Sequence, residues 1–213
     1  MIVCNLQPEF ETHWAELLRL DPVHPVDEKK DLLRRLGSDR VIYTLIHENR
    51  PVAMLQVALT TTAPLTATEL WNKKEQEGDF IYAVFYSVFR LPETESIKGN
   101  VADLIFGAAN DLQQRYPTLG KFITLSPIPS LRKGFTKKPE FEQVQEYIVN
   151  KKDPVARFHM KNGALPWAVR PKADFSKLRR NESWGWMVSY DYTPLLNKTT
   201  DPVAVDYIVG PLP

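Results

Sequence analysis

Apolar and polar positions along this chain alternate between two periods. Residues 8–20 place Phe10, Trp14, Leu17 and Leu18 on one side at helical spacing, with Glu9 and Glu11 in the first turn, where the helix dipole favours acids. Asp21-Pro22-Val23-His24-Pro25-Val26 is then expected to be extended, because residues before proline avoid the helical region. Helix returns over 27–36, with Arg34 and Arg35 in its last turn and Gly37 after it. Residues 40–48 and 52–60 read as the two strands of a hairpin around Asn49-Arg50-Pro51. Thr66 and Glu69 have the spacing of a capping box and predict a short helix over 66–76. Residues 80–90 are apolar on both faces, the pattern of a central strand.

A polar loop from Pro92 to Asn100 opens a helix over 101–115 with Val101, Leu104, Ile105, Ala108 and Leu112 inside. Tyr116 to Gly120 ends it. A strand over 121–126 is stopped by Pro127-Ile128-Pro129. Residues 130–139 read as basic and irregular, and 139–150 as a short helix. The rest of the chain is organised around 153–167. Pro154 suits a first helical turn. Val155, Phe158 and His159 share a face, and Asn162-Gly163 supplies a left-handed stop before a strand at 165–170. A last strand is expected at 184–192, and the tail 193–213, with four prolines, reads as extended. Hairpin, central strand, helix, strand, helix, strands is an α/β order, taken as a single domain over 1–213.

Composition narrows the function classes. With 43% hydrophobic and 25% charged residues the chain reads as a soluble globular protein. The 27 basic residues against 26 acidic ones imply neither a nucleic-acid partner nor an anionic membrane surface. The single cysteine, Cys4, excludes an internal disulfide and a cysteine-based metal site, and no metal is expected. No signal peptide or membrane-length apolar run is legible, so a cytoplasmic location and no membrane partner are expected.

The candidate chemistry sits at a few positions. His159 on the inner face of a Gly-terminated helix is either a core histidine bonded to a carbonyl or a general acid/base. Ser126 at a strand end beside two prolines either turns the chain or, with His159, forms a dyad. His24 on its proline-flanked loop is either a surface turn residue or a group that orients substrate. Gly99-Asn100 at the entry of the 101–115 helix lets backbone approach a phosphate closely.

These segments resemble the malonyl-CoA decarboxylases. The resemblance is carried by Thr124-Leu-Ser-Pro-Ile-Pro129, Asp153-Pro-Val-Ala-Arg-Phe-His-Met-Lys-Asn-Gly-Ala164, Val23-His-Pro-Val26, Arg34-Arg-Leu-Gly37 with Arg40, Val57-Ala-Leu-Thr60, Phe85-Tyr-Ser87 and Ser189-Tyr-Asp-Tyr192. It runs in order from about residue 21 to 192. It implies an α/β, GNAT-like acyl-CoA N-acyltransferase fold with a mixed central sheet and flanking helices. It implies decarboxylation of a malonyl thioester, malonyl-CoA or malonyl carrier protein, to the acetyl thioester and CO2. Ser126, His159 and Tyr192 would be catalytic. His24, Lys98, Gly99, Asn100 and Asn162 would bind substrate, with Arg132 and Lys133 as further phosphate contacts. No cofactor is expected beyond the coenzyme A of the substrate. The chain reads as a compact member lacking the family's N-terminal helical domain. The acidic residue that supports the pair in some members aligns with Gly99, leaving Glu95 or Asp103 as substitutes. The alternatives are a GNAT-like acyltransferase moving an acyl group from CoA to a carrier thiol or amine, and a non-catalytic acyl-CoA-binding module.

Overall fold

The alternation of residues 40–60 resolves into a hairpin in the computed structural model, which describes residues 2–4, 16–24, 29–48, 50–64, 66–72, 78–94, 97 and 101–196. The chain divides into two compact units, one of residues 1–62 with 73–120, the other of 63–72 with 121–213. In the first, β1 (Ile2–Cys4), β2 (Arg40–His47), β3 (Arg50–Thr60) and β4 (Tyr82–Arg90) lie side by side in that order, each pair antiparallel. Helix α1 (Lys29–Arg35) precedes the hairpin, and α3 (Val101–Arg115) packs on β2, β3 and β4. Leu104, Ile105, Ala108 and Leu112 are buried as their spacing required, whereas Val101 is only half-buried. Residues 16–19 are helical, and Leu18 joins Ile42, Met54, Phe89 and Leu91 in one apolar cluster. The expected helix before residue 16 lies outside the described residues.

Two local expectations in this unit fail for stated reasons. Residues 22–24 bend instead of running extended, because the Asp21 carboxylate accepts the backbone N–H groups of Val23 (2.8 Å) and His24 (3.1 Å) and closes a turn. The hairpin turn is tighter than Asn49-Arg50-Pro51. Arg50 and Pro51 already pair with His47 and Ile46, and Glu48 takes the positive φ of 47°.

In the second unit, β8 (Met187–Asp191) is the strand with which the others pair. It is antiparallel to β5 (Lys121–Thr124), β6 (Ser126–Pro127) and β7 (Leu165–Arg170). Helix α2 (Ala67–Asn72) starts as expected from Thr66, whose Oγ1 accepts the Glu69 N–H at 3.1 Å. Helix α5 (Phe141–Val149) begins with a reciprocal capping box between Glu140 and Gln143. Helix α6 (Pro154–Lys161) starts at Asp153, whose carboxylate accepts the N–H groups of Val155 and Ala156. Its left-handed stop is Gly163 alone, at φ +82°; Asn162 keeps a right-handed φ of −87°.

Sequence reading missed three short helices here. Residues Leu131–Gly134 form α4 within the stretch read as irregular, and Thr193–Leu196 form α8 where an extended tail was expected. Residues 197–213 lie outside the described residues. Helix α7 (Lys177–Ser183) carries no apolar period. It is held by its caps, with Ser176 accepting the Arg179 N–H, and it ends at Trp184 (φ 52°) and Gly185 (φ 78°). The last strand is therefore 187–191 and not 184–192.

Candidate active site

Helix α6 turns only part of its surface inward. Ala156 and His159, three residues apart, are buried, while Arg157 and Lys161 face solvent. Ser126 opens β6 and is paired across to Val188; Pro127 does not stop the strand as expected but continues it opposite Met187, and the chain turns at Pro129 and Ser130. The two side chains meet, with Ser126 Oγ 3.2 Å from His159 Nε2. The other ring nitrogen, Nδ1, lies 2.8 Å from the Tyr192 hydroxyl. Ser126 also donates to Thr124 Oγ1 at 2.9 Å, and that oxygen accepts the Tyr190 N–H at 3.0 Å. With the one hydroxyl proton of Ser126 given to Thr124, the neutral imidazole completes the chain in one tautomer. Nε2–H donates to Ser126 and Nδ1 accepts from Tyr192. All these residues belong to the second unit.

The surroundings keep this chain uncharged. His159 is 4% exposed, and burial lowers its pKa from 6.5 to about 3, so the ring is neutral at pH 7. Its flat side stacks on Tyr190, centroids 4.5 Å apart and planes 26° apart, and Phe158 and Tyr192 stand edge-on to it. Burial raises the pKa of Tyr192, which therefore keeps its proton and acts as a donor. Reversing every hydrogen bond in the chain converts one imidazole tautomer to the other. The arrangement can thus carry a proton along its length without storing a charge.

Beneath α6, Asp153 is fully buried. Its Oδ1 accepts Val155 N–H (2.8 Å) and Ala156 N–H (3.3 Å), and its Oδ2 accepts Ser130 N–H (3.0 Å) and Ser130 Oγ (2.6 Å). Ser130 is held in turn by Tyr147, whose hydroxyl donates to the Ser130 carbonyl at 3.0 Å. This fixes the start of the helix whose end carries His159.

The other sequence candidates lie elsewhere. His24 sits in the first unit, where Asp21, Arg35, Gln56 and Tyr86 form a buried hydrogen-bonded network and Arg35 also donates to the His24 carbonyl. Lys98, Gly99, Asn100 and Glu95 lie outside the described residues. Asp103 is exposed in the first turn of α3. Asn162 donates its amide to the Phe158 carbonyl at 2.9 Å and so caps its own helix. Arg132 donates to the Arg180 carbonyl at 3.2 Å and lies 4.8 Å over the Trp184 ring, while Lys133 is exposed. Sequence reading did not single out Tyr190, or Thr124 as a partner of Ser126. The signal was period two in the strands, which puts Thr124 with Ser126 and Tyr190 with Tyr192 on shared faces.

The fold is α/β and GNAT-like. A GNAT-like decarboxylase, GphF, in complex with isobutyryl-CoA superposes with a TM-score of 0.67 at 15% identity, over 90% of this chain and 97% of that one. The malonyl-CoA decarboxylase of Agrobacterium vitis superposes with a TM-score of 0.75 at 21% identity, over 98% of this chain and 65% of that one. In sequence, the family model for the malonyl-CoA decarboxylase C-terminal domain matches residues 14–152 and 141–198, and the chain belongs to that family. The mitochondrial malonyl-CoA decarboxylase of Mus musculus is 25% identical over 88% of this chain. The chain spans about half the length of that relative, 52%. No helix among the described residues is long and apolar enough to cross a membrane.

Proposed function

We propose that this chain decarboxylates a malonyl thioester, carried on coenzyme A or on a carrier protein, to the acetyl thioester and CO2. The observation that carries the reading is the buried, uncharged chain Ser126–His159–Tyr192 inside the span matched by the family. Loss of CO2 sends the electron pair of the breaking C–C bond into the thioester, giving an enolate. The carbon then takes one proton. Ser126 Oγ–H delivers it, His159 Nε2–H restores the serine, and the Tyr192 hydroxyl restores the ring at Nδ1. Solvent then returns one proton to the chain. Proton delivery by a positioned side chain contributes typically about 10²- to 10⁴-fold in rate.

The test is incubation of the protein with malonyl-CoA, with and without a carrier protein, followed by mass spectrometry of the thioesters. Acetyl thioester that forms with the intact chain and falls about 10²-fold or more with Ser126→Ala or His159→Ala is the expected result. Untouched malonyl-CoA, with acetyl-CoA consumed onto an added amine or thiol, would instead assign acyl transfer.

A further inference from the structure

The near balance of charge over the whole chain hides a division. Residues 121–196 carry 14 basic residues against 7 acidic ones, and the rest of the chain carries 13 against 19. Much of the excess lies on α4, on the segment that follows it and on α7. The two helices pack on each other. Arg132 of α4 donates to the Arg180 carbonyl of α7 and lies over the Trp184 ring. On these segments Arg132, Lys133, Lys137, Lys138, Lys177 and Arg180 are exposed, and among the described residues none of the six meets a carboxylate. The acids of the same stretches are engaged close by. Glu140 accepts a backbone N–H in its capping box, Asp174 accepts the Ser176 N–H at 2.8 Å, and Glu182 pairs with Arg179 at 2.6 Å. Gathered like charges repel one another in the folded chain, so their presence calls for a reason. Two apolar side chains stand among them, Phe175 at 57% exposed and Leu178 at 46%.

We propose that the basic face of α4 and α7 docks an acidic carrier protein, which presents the malonyl thioester to Ser126 and His159. The inference rests on the malonyl-thioester reading above and assigns a surface to the carrier form of that substrate. The place fits. Leu131 follows Ser126 by five residues, and Ser183 precedes Val188, the strand partner of Ser126, by five. The near end of each helix therefore lies within about 18 Å of that pair, the most that five residues can span. A thioester on a flexible arm can bridge such a gap. The side chains fit a protein partner. The phosphates of coenzyme A would engage only part of this field and leave Phe175 and Leu178 in water. A helix that lies in an anionic membrane surface presents a strong apolar face, and α7 carries no apolar stripe. Cations set beside an arginine-covered tryptophan and two apolar side chains complement an acidic protein surface.

The experiment measures kcat/KM on malonyl-CoA and on malonate loaded onto an acidic acyl carrier protein, together with the Kd of the loaded carrier. Lys177→Glu with Arg180→Glu is compared with the intact chain, and Lys137→Glu with Lys138→Glu serves if α7 does not tolerate the change. We expect carrier affinity and kcat/KM on the loaded carrier to fall about 10- to 100-fold, and kcat/KM on malonyl-CoA to stay within about 2-fold. Raising salt from about 50 to about 300 mM should weaken carrier binding by the intact chain far more than by the variant. Losses of equal size on both substrates, or on malonyl-CoA alone, would give the face to the site itself or to the coenzyme phosphates and overturn the inference. It is overturned also if the intact chain does not bind the carrier, if the variant binds it equally well, or if charge reversal at the exposed Lys151 and Lys161 weakens binding as much. Binding to phosphatidylserine vesicles in place of the carrier would assign a membrane surface instead. Should the intact chain release CO2 from neither substrate, the decarboxylase reading falls by itself. Carrier affinity then decides the role of the face, with weaker binding to the variant supporting it and equal or absent binding overturning it.

Discussion

The low pKa of His159 makes this site a source of acid lability, and substituting the residue exposes how much. The imidazole is neutral in the folded chain down to about pH 3 but titrates near 6.5 when the chain is unfolded. The folded value is the lower one. Its contribution to stability is therefore fully present above pH 6.5 and is lost as pH falls from 6.5 toward 3, because the unfolded state gains the proton first. At 1.36 kcal/mol per pH unit, the loss between pH 6.5 and 4.5 is about 2.7 kcal/mol. His159→Gln removes the titration while offering an amide N–H to Ser126 and an amide oxygen to Tyr192. The other histidines are common to both proteins and cancel in the difference. Urea denaturation of both chains at pH 7.5 and pH 4.5 measures it. At pH 7.5 the variant should be the less stable, by about 1–2 kcal/mol for imperfect hydrogen bonds and lost stacking. At pH 4.5 the deficit should vanish or change sign. A difference between the two chains that is the same at both pH values would refute the reasoning, since it would mean that His159 titrates alike folded and unfolded.

Three further outcomes follow from the geometry. On the proposed reaction, kcat should be flat from about pH 5 to 9, since His159 and Tyr192 both hold their protonation state across that window; a pH–rate profile with an inflection near 6.5 would contradict it. Asp153→Ala strips acceptors from Val155, Ala156 and Ser130 at a buried helix start and should cost about 2–4 kcal/mol in chemical denaturation, against less than 1 kcal/mol if the cap is unimportant. In the first unit, Asp39 is 0% exposed and pairs with Arg34 (2.6 Å) and Arg40 (3.0 Å), so Asp39→Ala should cost about 3–5 kcal/mol, read as a lower urea midpoint.

How much of this was legible depended on where the deciding forces act. Strand β7 falls on the expected residues 165–170, and α6 starts where Pro154 and the Asp153 cap place it, because those signals are local in sequence. The meeting of Ser126, His159 and Tyr192 was expected from family resemblance and not from spacing. The contact joins residues 33 apart on either side of His159, which no periodicity encodes. Helix α7 was illegible because it is held by polar contacts at its two ends and not by an apolar stripe. Ser183 Oγ reaches the carbonyls of Arg179 and Trp186, and Gly185 is forced because an added Cβ would stand 2.7 Å from the Asp174 carbonyl oxygen. Its polar sequence, Lys-Leu-Arg-Arg-Asn-Glu-Ser, carries a cap at Ser176 but no apolar stripe. Thr124 and Tyr190 were overlooked for a different reason. Strand hydroxyls and aromatics carry no mark that separates packing from chemistry until their neighbours are known.

The partner of His159 bears on the kind of chemistry the site suits. Where a histidine must become a cation, a carboxylate beside it raises its pKa and stabilises the charge. Here Nδ1 meets the Tyr192 hydroxyl, and a Tyr190 ring covers the face of the imidazole. Tyr192 leaves Nδ1 an acceptor, and burial favours the neutral form. On the proposed reaction this has a use. An imidazolium next to a malonyl carboxylate would form an ion pair with the ground state, and that attraction would weaken as CO2 departs uncharged. A neutral ring offers the carboxylate no such hold. The hydrogen bonds that remain are donors of modest strength, and those aimed at the thioester gain strength as charge moves there. The depressed pKa of His159 and the uncharged hydroxyls on both of its nitrogens thus serve one end. On the proposed reaction, the site holds a proton ready for the carbon and leaves the carboxylate free to depart as CO2.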